Sequence, residues 1–238
     1  MSVGYAEYES NDDIRLVENI TWRDSDTACT VVLSQPNTDP ELWHRYLDSA
    51  ERNYRRHGVE AVVDAAAIRS GADTALFWTV MDHRGNMVGG LRAKAPLGCA
   101  DDSHAVVEWH GQPGLAMVRK MIDDRAPFGV LEMKTAWVSD HRASRHSITH
   151  LLARTAFHAT SVMGVQFVMA TAAQHVLELW KSGGGVVAPI PATPYPDERY
   201  RTKMMWWDRR TMINHSEPEQ VSKALHEIGE ISTMLVAS

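Results

Sequence analysis

Apolar positions recur in two rhythms along the chain, one of period near four and one of period two. In PELWHRYLDSAERNYRRHG, Trp43, Tyr46, Leu47, Ala50 and Tyr54 share one face at helical spacing. Asp39 stands where a cap belongs, Pro40 suits the first helical position and Gly58 the stop. Before it, ACTVVLSQP (28–36) reads as a strand closed by proline, and after it VEAVVDAAAIRSG predicts a second short helix ending at Gly71. ALFWTVMDHRGNMVGGLRA predicts strand, turn, strand, with Asp82 to Asn86 in the turn. Gly89 and Gly90 inside the second strand point to a bulge or a close backbone approach. Further on, PGLAMVRKMIDDRAP (113–127) reads as helix, VLEMKTAWV as strand, SITHLLARTAFHATSVMG as helix, VQFVMATA as strand and HVLELWKSGGG as a short helix. A last strand is expected around Arg201 to Trp207, then a C-terminal helix with Val221, Leu225, Ile228 and Leu235 on one side. A hairpin followed by alternating strands and helices predicts an α+β fold.

Composition narrows the class. The 238 residues are 44% hydrophobic and 23% charged, which suits a globular chain able to bury a sizeable core. A net charge of −6 provides no footprint for nucleic acid. No apolar run reaches the roughly 18–20 residues that a membrane span needs. The opening MSVGYAEYESNDD is polar and acidic, unlike a secretory signal, and two cysteines, Cys29 and Cys99, make no disulfide framework. The expectation is a cytoplasmic protein with free thiols.

Chemistry enters with FWTVMDHRGNMVGGLRA, VLEMKTAWVSD, RASRHSITHLL and HVLELWKSGGG, taken in that order. Together they resemble the Gcn5-related N-acyltransferase superfamily over roughly residues 28–210. In that family the first stretch is the second and third strands, the next the fourth strand, and RASRHSITHLL the loop and helix start that hold the coenzyme pyrophosphate. GGLRAKAPL and the stretch E-M-K-T-A-W-V (Glu132–Val138) further resemble the branch of acyl-homoserine-lactone synthases and long-chain N-acyl amino acid synthases. Arg92, Glu132 and Val138 match that branch, whereas its second arginine falls on Thr135, beside Lys134. The resemblance implies a central mixed β-sheet flanked by helices and splayed between two strands. It implies a thioester donor, either acyl-CoA or an acyl-phosphopantetheine on acyl carrier protein, and a small-molecule amine acceptor.

Acyl transfer to an amine needs a group to take the ammonium proton, and a carboxylate raised by burial can do so. Glu132 is that candidate, and Arg92 is the candidate anchor for an acceptor carboxylate; a surface Glu132–Lys134 pair and an exposed strand cation are the plain alternatives. In the phosphate loop, Arg142 matches the signature while Arg145 and Ser147 replace its two glycines. Val138, Ser139, Arg142, Ser144, Arg145, His146 and Ser147 would then form the cofactor site, the two arginines and three serines holding phosphate through charge and side-chain donors, with a polar helix cap as the alternative. Trp180 occupies the position of the family's leaving-group tyrosine, and an indole is no practical acid.

His146, His150, Arg154 and His158 form one polar stripe at four-residue spacing. Without the intervening glutamate or a third ligand it reads as a solvated face, and no metal is expected. Met204 and Trp206, in MMWW, with Lys134 and Trp180, are candidates for an acyl-chain or acceptor pocket; strand alternation makes Met205 and Trp207 the other possible pair, and core packing is the alternative. Residues 1–27 form a lead-in, 28–210 the acyltransferase-like domain and 211–238 an amphipathic helix docked on the domain or on a partner, including a second copy. The expected activity is acyl transfer to a small amine such as an amino acid. A non-catalytic thioester- or partner-binding protein, and homoserine lactone synthesis from S-adenosylmethionine, are the rivals.

Overall fold

The computed structural model describes residues 14–63, 65–140 and 142–237. Among these, eight strands form one mixed sheet. They are β1 (Ile20–Arg23), β2 (Thr30–Ser34), β3 (Thr74–Met81), β4 (Met87–Lys94), β5 (Val130–Val138), β6 (Phe167–Ala173), β7 (Val186–Val187) and β8 (Thr202–Asp208), in the order β1-β2-β3-β4-β5-β6-β8-β7. Only β5 and β6 run parallel. The helices are α1 (Pro40–Arg56), α2 (Ala65–Ile68), α3 (His104–Glu108), α4 (Leu115–Asp123), α5 (Arg142–Ala153), α6 (Thr155–Val162), α7 (Leu177–Lys181), α8 (Met212–His215) and α9 (Pro218–Ala237). The fold is the α+β arrangement that the pattern predicts.

Local chemistry explains the main elements. The Asp39 carboxylate accepts from Leu42 N at 2.9 Å, Pro40 needs no donor in the first turn, and Gly58 turns the chain at φ +64°. In the β3–β4 turn, Asp82 Oδ1 accepts from Arg84 N and Asn86 N at 2.8 Å each, and Gly85 supplies a φ of +78°. One sheet face packs Leu91, Leu131, Val168 and Trp207 against α5, α6 and α9. On the other face α1 covers Phe77 and Trp137, and Trp109 and Ile122 of the α3–α4 segment cover Met169, Met204 and Trp206.

Several elements differ from the pattern. Ile20 and Trp22 alternate inward in β1, a strand of only two buried side chains, too short to stand out in the sequence. VEAVVDAAAIRSG supplies only a 3-10 turn, Glu60–Val62, and the four-residue α2. The polar stripe is solvated only at its start, where His146 is exposed and His150 half-buried. The helix breaks at Arg154 between α5 and α6, and Arg154 and His158 are 1% and 0% exposed. Partners brought by α9 offset that burial: Arg154 donates to both Glu227 oxygens and to Gln220 Oε1, and also to Asp24 Oδ1. On α9, Ala224 and Ile231 enter the core while Leu225, expected on the apolar side, is exposed. No helix among the described residues is long and apolar enough to cross a membrane.

Candidate active site

β5 and β6 pair from Val130–Phe167 to Met133–Ala170 and then diverge. The departure begins at Thr135, whose φ is +54°, an uncommon and strained conformation for a β-branched residue. Gly90 faces Trp137 while Arg92 faces Lys134, so β5 carries one extra residue opposite Leu91, a bulge. Helix α1 holds it in place. Tyr46 Oη donates to Thr135 O at 2.8 Å, Tyr54 Oη to Ala136 O at 2.9 Å, and Asn53 Nδ2 to Val138 O at 3.1 Å. Strain of about 1–3 kcal/mol at such a residue is offset by hydrogen bonds worth about 1 kcal/mol each. Close approach of α1 also requires Gly90, where a Cβ would lie 2.6 Å from Trp78 O and 3.0 Å from the Tyr46 ring.

The divergence opens a cleft of about 630 Å³ whose walls differ in chemistry. Leu91, Met133, Leu152, Ala156, Leu179 and Trp207 contribute apolar surface. Across from them stand Tyr54, Glu108, Lys134, Thr171 and Tyr195. Lys134 and Thr171 are the first residues beyond the last β5–β6 pair, and Glu108 of α3 sits between them. Its Oε1 accepts from Lys134 Nζ at 2.7 Å and Thr171 Oγ1 at 2.9 Å, and lies 3.0 Å from His104 Nδ1. Its Oε2 is buried and has no partner among the described residues. Burial alone would push the Glu108 carboxyl up, but the Lys134 ammonium and the His104 hydrogen bond outweigh it and hold it at about 2. Burial alone would push Lys134 down, but Glu108 and Glu132 raise it, so the pair stays charged at neutral pH. Burial also pushes Tyr54 up to about 12 and raises Tyr195, so both hydroxyls keep their protons.

This splayed sheet has counterparts. The N-acyl amino acid synthase FeeM from uncultured soil microbes superposes with a TM-score of 0.56 at 11% identity, covering 83% of this chain and all of that one. The CoA-dependent acyl-homoserine lactone synthase BjaI, solved with SAM and isopentyl-CoA, gives 0.52 at 16% identity over 83% of this chain and 88% of its own. The fold is thus GNAT-like (like that of the Gcn5-related N-acyltransferases), the one that these two synthases share. In sequence, the uncharacterised protein Rv1356c of Mycobacterium tuberculosis (strain H37Rv) is 56% identical over 211 residues, 88% of this chain and 80% of the relative. The chain belongs to the family of that mycobacterial protein. An uncharacterised Mycobacterium bovis protein, Mb1391c, is related to the same degree. No protein-family model matches the chain.

Within this fold the expected residues take different places. Glu132 is 0% exposed and faces α3: its Oε2 accepts from His104 N at 3.0 Å and lies 3.8 Å from Lys94 Nζ. Its Oε1 has no partner among the described residues, and it is not on the cleft wall. Arg92 is buried, its Nη1 donating to Asp73 Oδ1 and Thr74 Oγ1 at 2.8 Å each. Glu132 and Lys134 are therefore no surface pair, and Arg92 is no exposed cation. Lys134, Trp180, Val138 and Arg145 line the cleft. Ser139 Oγ is buried without a partner among the described residues, and its N–H donates to Val88 O at 2.8 Å. His146 and Arg145 are exposed and Ser147 is half-buried on α5, whereas the side chains of Arg142 and Ser144 lie outside the described residues.

One expected placement needs correction. Met204 and Trp206 do not line the cleft but pack with Trp109, Val118 and Ile122 on the opposite face. Strand alternation turns Met205 and Trp207 the other way, and Trp207 is the member of MMWW that reaches the cleft. Glu108, His104, Thr171 and Tyr195 had escaped notice. The available signal was SHAVVEWHG, in which a lone carboxylate sits among Val106, Val107 and Trp109. Among the described residues no group of three His, Cys, Asp or Glu side chains could hold a metal ion.

Proposed function

We propose that the protein transfers an acyl group from a thioester, acyl-CoA or acyl carrier protein, to the amine of a small metabolite such as an amino acid. The observation that carries this reading is the cleft between β5 and β6, with one apolar wall and one polar wall that meet where the strands part. An acyl chain would lie along Met133, Leu152, Ala156 and Trp207, and the amine would approach from the side of Glu108 and Tyr195. The amine, having lost its ammonium proton to water in the open cleft, attacks the thioester carbonyl carbon. The C–N bond forms, the C–S bond breaks, the nitrogen sheds its remaining excess proton to water, and the departing thiolate takes one up. Tyr195, whose hydroxyl stays protonated, is the proposed donor to that thiolate, in place of Trp180. Glu132 as base would act only through intervening groups or water, and Arg92 would act by fixing β4 to Asp73 and Thr74. Arg145, Ser139 and Ser147 are proposed to face the donor phosphate near the start of α5, which favours anions.

The rival reading, a thioester-binding protein without catalysis, rests on Trp180 at the cleft wall. Mass spectrometry of the protein incubated with acyl-CoAs of two to twelve carbons, or with acyl carrier protein, and pooled amino acids separates them. New acylated amine and free thiol are expected. Bound donor that remains intact with every amine would sink the enzymatic reading and favour the rival.

A further inference from the structure

We propose that Glu108 is the carboxylate that receives the acceptor's primary amino group, and that Glu132 is a positioning residue that holds α3 in place beneath it. This rests on the acyltransferase reading and reassigns the carboxylate within it. Glu108 stands at the vertex of the cleft, between Lys134 and Thr171, the first residues beyond the last β5–β6 pair. Its two oxygens have unequal surroundings. Oε1 is engaged by Lys134, Thr171 and His104, which lock the side chain in one orientation. Oε2 is left, in a residue that lines the cleft, without a donor among the described residues. A buried carboxylate oxygen that lacks a donor is costly, and a ligand N–H supplies what the fold withholds.

The chemistry of the occupant follows. Lys134 and His104 keep Glu108 ionised through the working range, so it accepts a hydrogen bond and attracts a cation but is too weak a base to remove the proton. Such a group binds and orients an ammonium, and it favours a primary amine with N–H to spare. Glu132 has the complementary place. Its Oε2 accepts the N–H of His104, the first residue of α3, one helical turn before Glu108. It therefore sets the position of α3, and through α3 the direction in which Glu108 points.

The test reads amine binding without any donor, so it is independent of turnover. Calorimetric titration with n-butylammonium, and with n-butanol as the uncharged control, is run on wild type, Glu108→Gln, Glu108→Asp and Glu132→Gln. Wild type is expected to bind butylammonium and not butanol. Glu108→Gln should weaken binding at least tenfold and, wherever acyl transfer is measurable, raise KM for the amine more than it lowers kcat. Glu108→Asp keeps the charge while drawing the carboxylate back by one methylene, so it should fall between; it serves as the probe if Glu108→Gln fails to fold. Glu132→Gln should lower the melting temperature and weaken the amine less than Glu108→Gln does. No butylammonium binding by wild type, unchanged binding in folded Glu108→Gln or Glu108→Asp, or a greater loss in Glu132→Gln would overturn the assignment. Absence of acyl transfer with amine binding lost in Glu108→Gln would overturn the reaction and leave the amine site standing.

Discussion

Two clusters of buried charge sit on opposite faces of the same sheet, and they are built to different rules. Around Arg154, guanidinium and carboxylates are matched: Glu227 accepts twice and Gln220 once, while Asp24 accepts from Arg154 at 2.5 Å and from Thr27 N at 2.8 Å and Oγ1 at 2.7 Å. His158 Nε2 adds a contact to Glu227 Oε2 at 2.9 Å. These residues tie the α5–α6 break to α9 and to the β1–β2 turn, and none of them lines the cleft. Around Glu108 the matching stops one oxygen short, in a residue that lines the cleft. Each cluster keeps one buried atom without a partner among the described residues, His158 Nδ1 in the first and Glu108 Oε2 in the second, so what sets them apart is that only Glu108 belongs to a residue that lines the cleft.

The largest expected effect breaks the closed cluster. Arg154→Met leaves Asp24 and Glu227 buried without their cation and should cost about 3–5 kcal/mol in urea unfolding. A loss below about 1 kcal/mol would mean that α9 is held by its apolar contacts alone and that the contrast between the clusters is false. Glu108→Gln should cost less than Arg154→Met, because the Lys134 ammonium it leaves behind still has the Glu132 carboxylate acting on it. If it destabilises the protein as much as Arg154→Met, Glu108 belongs with the structural cluster.

Acidity sharpens the same comparison. Glu108 and Glu227 are each held at about 2, below the usual carboxylate value near 4.5. A depressed carboxyl contributes stability that is fully present above its unfolded value and is lost as pH falls through the folded one. The urea midpoint should therefore drop between about pH 4.5 and 2. Glu227→Gln should flatten part of that drop, and Glu108→Gln another part. A wild-type midpoint that does not move from pH 5 to 2.5 would contradict both shifts.

Much of this was written in the local pattern. Asp39, Pro40 and Gly58 marked α1, and DHRGN marked the hairpin, because caps and turns act over a few residues. Gly90 announced a close approach without saying that the neighbour would be Tyr46. What escaped the sequence depends on partners far along the chain. The stripe through Arg154 has helical spacing, but only the packing of α9 supplies Glu227 and Gln220 and buries its second half, Arg154 and His158, while His146 stays exposed. Alternation in MMWW sorted the residues into two pairs but could not say which pair meets the cleft. Glu132 was conspicuous because it interrupts an apolar strand. Glu108 was not, because its importance arises where β5 and β6 separate, a tertiary event set by the bulge at Thr135.

The most direct test of acyl transfer in this cleft is to fill it. Ala172 lies on the cleft wall and is half-buried, so Ala172→Trp should occupy the donor's space at little cost to the fold. Wild type and variant are compared by mass spectrometry for acylated amine formed from acyl-CoA or acyl carrier protein and pooled amino acids, with thermal unfolding as the control. Product from wild type and at least a hundredfold less from a variant that melts normally is the expected result. Equal product from both proteins would place the reaction elsewhere.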